Sequence, residues 1–177
     1  MKDIIKIRDE NPDYHIPTLK DVLDHFYPTL GFHIEIKENN QELAYKVATL
    51  VQSYTGSSSL VLGSFYPEVL IHVRQGFPEQ SVALIWDDST FSGSPKEAQE
   101  LLGFSKYLDF HPHVDCLSKK MVEESHSLGG KVYPWIAYEG VSLEEEKNIW
   151  SKVIPLGVDG LCSNYPRQLL SWLKQKG

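Results

Sequence analysis

Three residues able to do chemistry fall at alternating positions of one short stretch. In GFHIEIKENN, Gly31 to Asn40, His33, Glu35 and Lys37 are interleaved with Phe32, Ile34 and Ile36. A strand sends successive side chains to opposite faces, so the apolar set can pack under a helical layer while imidazole, carboxylate and ammonium share the other side. Glu35 could then bind a divalent cation through oxygen, and Lys37 could hold a phosphate oxygen or neutralise that carboxylate. The same spacing also describes a half-exposed strand whose Lys and Glu form a solvated pair, and it leaves both readings open. Elsewhere, Asp87 and Asp88 could join a metal site, although adjacent residues point apart and a loop or helix cap is the plainer reading. His111 and His113, in HPH, lack a carboxylate at recognised spacing and read as surface or capping histidines. Trp135 is either a wall against the carbon part of a ligand or a core residue. Ser64 lacks a G-x-S-x-G setting, and neither a Gly-rich nucleotide fingerprint nor a P-loop occurs.

The elements that must carry these residues repeat one pattern. IPTLKDVLDHF opens a helix with Thr18 as N-cap and Asp21 as capping-box partner, with Leu19, Val22, Leu23 and Phe26 at helical spacing. QELAYKVATLVQSY puts Leu43, Val47, Leu50 and Val51 on one stripe, Pro67 begins a helix ending near Gly76, and Ser118 and Ser142 cap two more. Six strands are expected, near residues 31–36, 59–64, 81–86, 107–111, 131–136 and 159–163, each followed by a helix. Pro134 falls in the fifth and demands a locally unpaired N–H. Strands separated by helices of this length favour parallel pairing and an α/β fold. The polar candidates gather at predicted strand ends, where parallel α/β folds place their sites.

The chain has 177 residues, a net charge of -7 and two cysteines, Cys116 and Cys162. That length suits one domain over residues 1–177. The acidic balance opposes a nucleic-acid partner but leaves a small phosphorylated ligand open. Two cysteines outside any CxxC support neither a disulfide framework nor a structural zinc site and point to a reducing, cytoplasmic setting. MKDIIKIRDE has no apolar h-region and no later run approaches a membrane span, so neither a signal peptide nor a span is expected.

Five segments, in order, resemble the glycerophosphodiester phosphodiesterase family. IPTLKDVL is similar to that family's Pro-Thr-Leu helix opening, and GFHIEIK resembles its strand bearing a metal-binding Glu followed by a Lys. LVLGSFYPEVL is similar to its Ser-Phe-Asp-Pro segment, with Tyr66 where Asp is usual. KVYPWIAYEG resembles its late strand ending in a pocket Trp, with Ala137-Tyr138 for Val-Asn, and GVDGLCSNYP its last strand, with Ser163-Asn164 for Thr-Asp. The resemblance implies a TIM barrel that hydrolyses glycerophosphodiesters to glycerol 3-phosphate and an alcohol, with one Ca²⁺ or Mg²⁺. It implies Glu35 as metal ligand and Lys37 and Trp135 as substrate contacts. Some relatives act on lysophospholipids.

The family's catalytic His-Arg-Gly strand end and second His have no counterpart in this sequence, and only 15 residues precede IPTLKDVL. No catalytic residue is therefore assigned. The resemblance is expected to cover the C-terminal six βα units, with the N-terminal catalytic part absent. The fold expected is an incomplete TIM barrel of six parallel strands with outer helices, against the eight of a closed barrel. Its exposed sheet edges favour self-association. The activity implied is phosphoric diester hydrolysis as part of a complete barrel; the alternative is a catalytically inactive truncated module serving regulation or assembly.

Overall fold

Capped helices alternate with apolar strands in the computed structural model of the chain, which describes residues 16–54, 59–104, 106–137 and 140–176. The opening segment read for a leader, and Tyr138, lie outside the described residues. The chain divides into two compact units, Met1–Phe32 and His33–Gly177.

In the first unit, helix α1 (Leu19–Phe26) begins at Thr18, whose hydroxyl accepts from the Asp21 N–H while the Asp21 carboxylate accepts from the Thr18 N–H. The capping box expected from the sequence is therefore formed. Leu23 is fully buried, whereas Phe26, placed on the same stripe, is exposed.

The second unit contains β1 (Phe32–Glu35, beginning at the last residue of the first unit), α2 (Gln41–Gln52), β2 (Leu60–Ser64), α3 (Pro67–Gly76) and β3 (Val82–Trp86). After these come α4 (Pro95–Leu102), β4 (Leu108–Pro112), α5 (Lys119–Ser127), α6 (Leu143–Val153) and α7 (Pro166–Lys176). Pro67 occupies the first turn of α3, and Ser118 and Ser142 cap α5 and α6. The stripe of α2 is met in part: Val51 is buried as expected, but Ala44 and Ala48 take the other buried places and Leu43 is exposed.

The sheet has four strands in the order β1-β2-β3-β4, all parallel. Its register runs Leu62 to Val82, Ser64 to Leu84, Ile85 to His111 and Trp86 to Pro112. Every residue of β2 and β3 is buried, as parallel strands covered on both faces require.

The expectation of six parallel strands in an incomplete TIM barrel is corrected here to an α/β fold with one parallel four-stranded sheet flanked by helices. Segments 131–136 and 159–163 continue the strand order only through isolated parallel bridges: Phe110 with Val132, His113 with Trp135, and Trp135 with Cys162. The cause is local. Pro134 has no N–H to donate, although its carbonyl still accepts from the Cys162 N–H at 2.9 Å. One residue pair further back, the Asp159 carboxylate takes the Val132 N–H at 2.8 Å, so a side chain fills the place of a ladder acceptor.

Candidate functional site

Odd-numbered residues of consecutive segments share one face and line a cavity of about 490 Å³. Its wall includes His33, Glu35 and Lys37 from β1 and its extension, Gly63 and Phe65 at the end of β2, Ile85, His111, Tyr133 and Trp135. Glu35, Lys37 and Trp135, the three residues expected to form a site, therefore border one space. Gly63 keeps that space open, since a Cβ there would stand 2.9 Å from Ile85 Cδ1.

At the mouth, Lys37 Nζ donates to Glu35 Oε2 at 2.7 Å; the lysine side chain is 74% exposed and the glutamate 31%. An ion pair this open contributes little to stability, about 0–1 kcal/mol, so the lysine can exchange partners at small cost. Trp135 is fixed more firmly. Its indole N–H donates to the Trp86 carbonyl at 3.3 Å, and Phe65 and His113 pack edge-to-face on it at 5.8 and 4.6 Å.

Also on the cavity wall, the exposed His33 presents Nδ1 to Nε2 of the buried His111 at 3.1 Å, with the rings stacked at 28° and Tyr133 edge-on to both. Burial above all, with the neighbouring His33 adding to it, pushes the His111 imidazole down to about 3. Partial burial also lowers His33, with Asp109 partly offsetting it and Lys131 adding to it. Both rings are therefore neutral at ordinary pH, one donating to the other. The sequence reading of His111 as a surface or capping residue is corrected: it is 8% exposed. The available signal was parity, because His111 shares the odd-numbered face with Ile85, its partner in register.

The remaining candidates have structural employment. His113 caps the short 3₁₀ turn Val114–Cys116, its ring accepting from the Asp115 N–H. Asp87 accepts from the Ser89 and Thr90 hydroxyls and N–H groups, and the Ser89 hydroxyl above all holds its carboxyl below the usual range. Ser64 is buried, donating to the Ile36 carbonyl and accepting from the Tyr66 N–H. Burial, then a hydrogen bond to Asp88, pushes the Cys116 thiol up to about 12, which leaves it protonated and unreactive. Ser163 and Asn164 donate to the buried Glu146 carboxylate rather than pointing into the cavity. Glu146 went unremarked in the sequence, where it sits inside an exposed-looking LEEEK run.

Ca²⁺ takes six to eight oxygen ligands, and Mg²⁺ is commonly held by one or two carboxylates together with substrate phosphate. Among the described residues Glu35 brings the only cavity-lining carboxylate, already bonded to Lys37, and no three His, Cys, Asp or Glu side chains form a metal-binding group. The described donors do not fit a resident hard cation.

A parallel α/β sheet with a pocket at its strand ends defines a broad class of folds with many functions, and the comparisons narrow it. The sequence model of the Glycerophosphoryl diester phosphodiesterase family matches residues 3–168, so the chain belongs to that family. That match starts ahead of IPTLKDVL and covers nearly the whole chain, which overturns the expectation of a resemblance confined to a C-terminal portion with the N-terminal part absent. Human Lysophospholipase D GDPD1 is 25% identical over 200 residues, covering 93% of this chain and 58% of the relative. The rat protein of the same name is 24% identical with the same coverage. The chain thus spans rather more than half the length of these curated relatives. Among solved structures, a glycerophosphodiester phosphodiesterase from Parabacteroides distasonis superposes with a TM-score of 0.73 at 18% identity, covering 96% of this chain and 71% of that one. One from Agrobacterium tumefaciens gives 0.58 at 19% identity, covering 83% and 58%. These likenesses concern the fold. Among the described residues no helix is long and apolar enough to cross a membrane.

Proposed function

We propose that the cavity binds a glycerophosphodiester and that the chain serves its hydrolysis to glycerol 3-phosphate and an alcohol. The observation that carries this reading is the joint placement of Lys37, Glu35 and Trp135 on one cavity. The Lys37 ammonium leaves Glu35 for a non-bridging phosphate oxygen, where it offsets the charge that grows on phosphorus oxygens during displacement. Glu35, freed from the lysine, accepts from glycerol hydroxyls. It is also the one carboxylate contact the described cavity offers to Ca²⁺ or Mg²⁺ arriving with the phosphate, and no step here depends on that ion. Trp135, held by Trp86 and Phe65, lies against the carbon part of the ligand and excludes water from that side. The relatives called lysophospholipase D keep an acylated substrate within the same reading, since Phe65, Ile85 and Leu161 extend the apolar wall.

A second reading, a regulatory module that binds such esters without cleaving them, is favoured by one feature. The two cavity histidines are engaged with each other. The two free cysteines suit the cytoplasm as the compartment. A second copy is a further partner we propose, because the segment at Cys162 ends in a single bridge with no strand on its outer side among the described residues.

The test is to incubate the full chain with glycerophosphocholine and glycerophosphoethanolamine, with and without Ca²⁺ or Mg²⁺, and to measure both binding and released glycerol 3-phosphate. Release that falls about 10- to 100-fold in Lys37→Ala supports the hydrolytic reading. Binding without release selects the regulatory one. Absence of binding by the wild type overturns both.

A further inference from the structure

The cavity wall brings two imidazole nitrogens within hydrogen-bond distance of each other, and that bears on which ions it can accept. We propose that His33 and His111 form a chelating site for a borderline transition-metal ion of the Zn²⁺ or Co²⁺ class, with water completing the shell. The distance between His33 Nδ1 and His111 Nε2 is 3.1 Å. Two imidazole nitrogens bound about 2.0–2.1 Å from one ion lie about 2.9 Å apart at a right angle and about 3.4 Å apart at the tetrahedral angle. The observed separation falls within that interval.

Three further features favour the site. Imidazole is a ligand for zinc, copper, nickel and iron, whereas calcium and magnesium select oxygen. The rings come from β1 and β4, which are not neighbours in the sheet, so it is the backbone that brings the two nitrogens together. Tyr133 lies edge-on to both rings, at 4.6 and 5.4 Å between centroids, and restricts their escape. Binding requires one change of tautomer: the ring that donates across the 3.1 Å contact moves its proton to its other nitrogen, with no net loss. It also turns one imidazole about a soft terminal torsion, because the rings now stack at 28°. No third His, Cys, Asp or Glu completes a ligand group among the described residues, so the remaining positions on the ion face the cavity and its water.

The inference is independent of the phosphodiester reading, because its test reads binding and not turnover. The chelator-treated full chain is titrated with Co²⁺ while its visible d–d absorption is followed, and with Zn²⁺, Ca²⁺ and Mg²⁺ by calorimetry. Co²⁺ and Zn²⁺ are expected to bind one to one and more tightly than the two hard ions. His33→Gln and His111→Phe are each expected to weaken Co²⁺ binding by more than the roughly 10-fold that follows loss of an outer-shell partner. His126→Ala, which removes the surface histidine paired with Asp159, is expected to leave it unchanged. If the cobalt spectrum survives in both His33→Gln and His111→Phe, or if the wild type binds no Co²⁺, the proposal fails. Should His111→Phe not fold, His33→Gln decides alone, since its ring opens onto the cavity.

Discussion

Glu146 and His111 are both buried polar residues of the same unit, and their surroundings ask opposite things of them. Glu146 is fully buried, and its carboxylate is saturated: Oε2 accepts from the Trp150 indole at 3.1 Å and the Ser163 hydroxyl at 2.5 Å, and Oε1 from the Asn164 N–H at 3.0 Å and its amide at 2.6 Å. Four donors meet the roughly four acceptor positions of a carboxylate. The cluster ties α6 to the segment after the last bridge, above a core of Ile136, Trp150 and Leu169. Among the described residues His111 has no charged partner in hydrogen-bond contact, only an identical ring, and it borders open space. A satisfied buried group holds the fold together, whereas a group that shares one hydrogen bond with its twin retains capacity for a ligand.

The contrast breaks most visibly at Glu146. In Glu146→Ala four donors lose their acceptor inside the protein, and stability is expected to fall by about 3 kcal/mol or more in urea titration. A loss below about 1 kcal/mol would mean that water already serves this cluster. Asn164→Asp is the sharper change, because it places a second carboxyl 2.6 Å from Glu146 Oε1 in place of the amide donor. Two carboxylates so close cannot both ionise, so one folded-state pKa rises above its unfolded value near 4. Such a group contributes its stability below about pH 4 and loses it as pH climbs through the raised value. The variant should match wild type in acid and trail it by about 2 kcal/mol at neutral pH. A constant deficit across that range would show that packing, not charge, sets the choice of Asn.

That substitution also shows what the sequence could disclose. Where the family resemblance sets Thr-Asp, this chain has Ser163-Asn164, and the reason sits 18 residues away at Glu146, an interval that no local pattern spans. The capping box at Thr18 and the cap at Ser142 were legible because every partner lies within three residues. The cavity face was legible in part: period-two alternation put His33, Glu35 and Lys37 on one side, and they line one cavity. The meeting of His33 with His111 depends on how the sheet curls between strands that are not neighbours, which alternation does not encode. The loss of the fifth and sixth strands had its signal in Pro134, and the sequence reading noted the missing donor yet kept the strand. What it did not hold was the Asp159 carboxylate replacing a backbone acceptor beside Val132.

The smallest effect on stability near pH 7 is expected at His111, and there the pH dependence carries the information. The folded-state pKa is depressed to about 3, whereas the unfolded chain takes up this proton near the ordinary histidine value of about 6.5. Between those two values the unfolded state binds more protons, so stability drops as pH falls through the window, by at most about 1.4 kcal/mol per pH unit from this group. His33, lowered by the same burial, contributes with the same sign, while Asp109 opposes it. His111→Phe keeps a flat ring in the cavity wall and removes the proton acceptor. In metal-free buffer it should lie within about 1 kcal/mol of wild type near pH 7 and show a shallower decline from about pH 6 to pH 4. Parallel declines in the two proteins would mean that the cavity hydrates and protonates His111 without unfolding. That wall would then be a wet polar surface, and its difference from the sealed Glu146 cluster would be one of solvent access and not of unused bonding capacity.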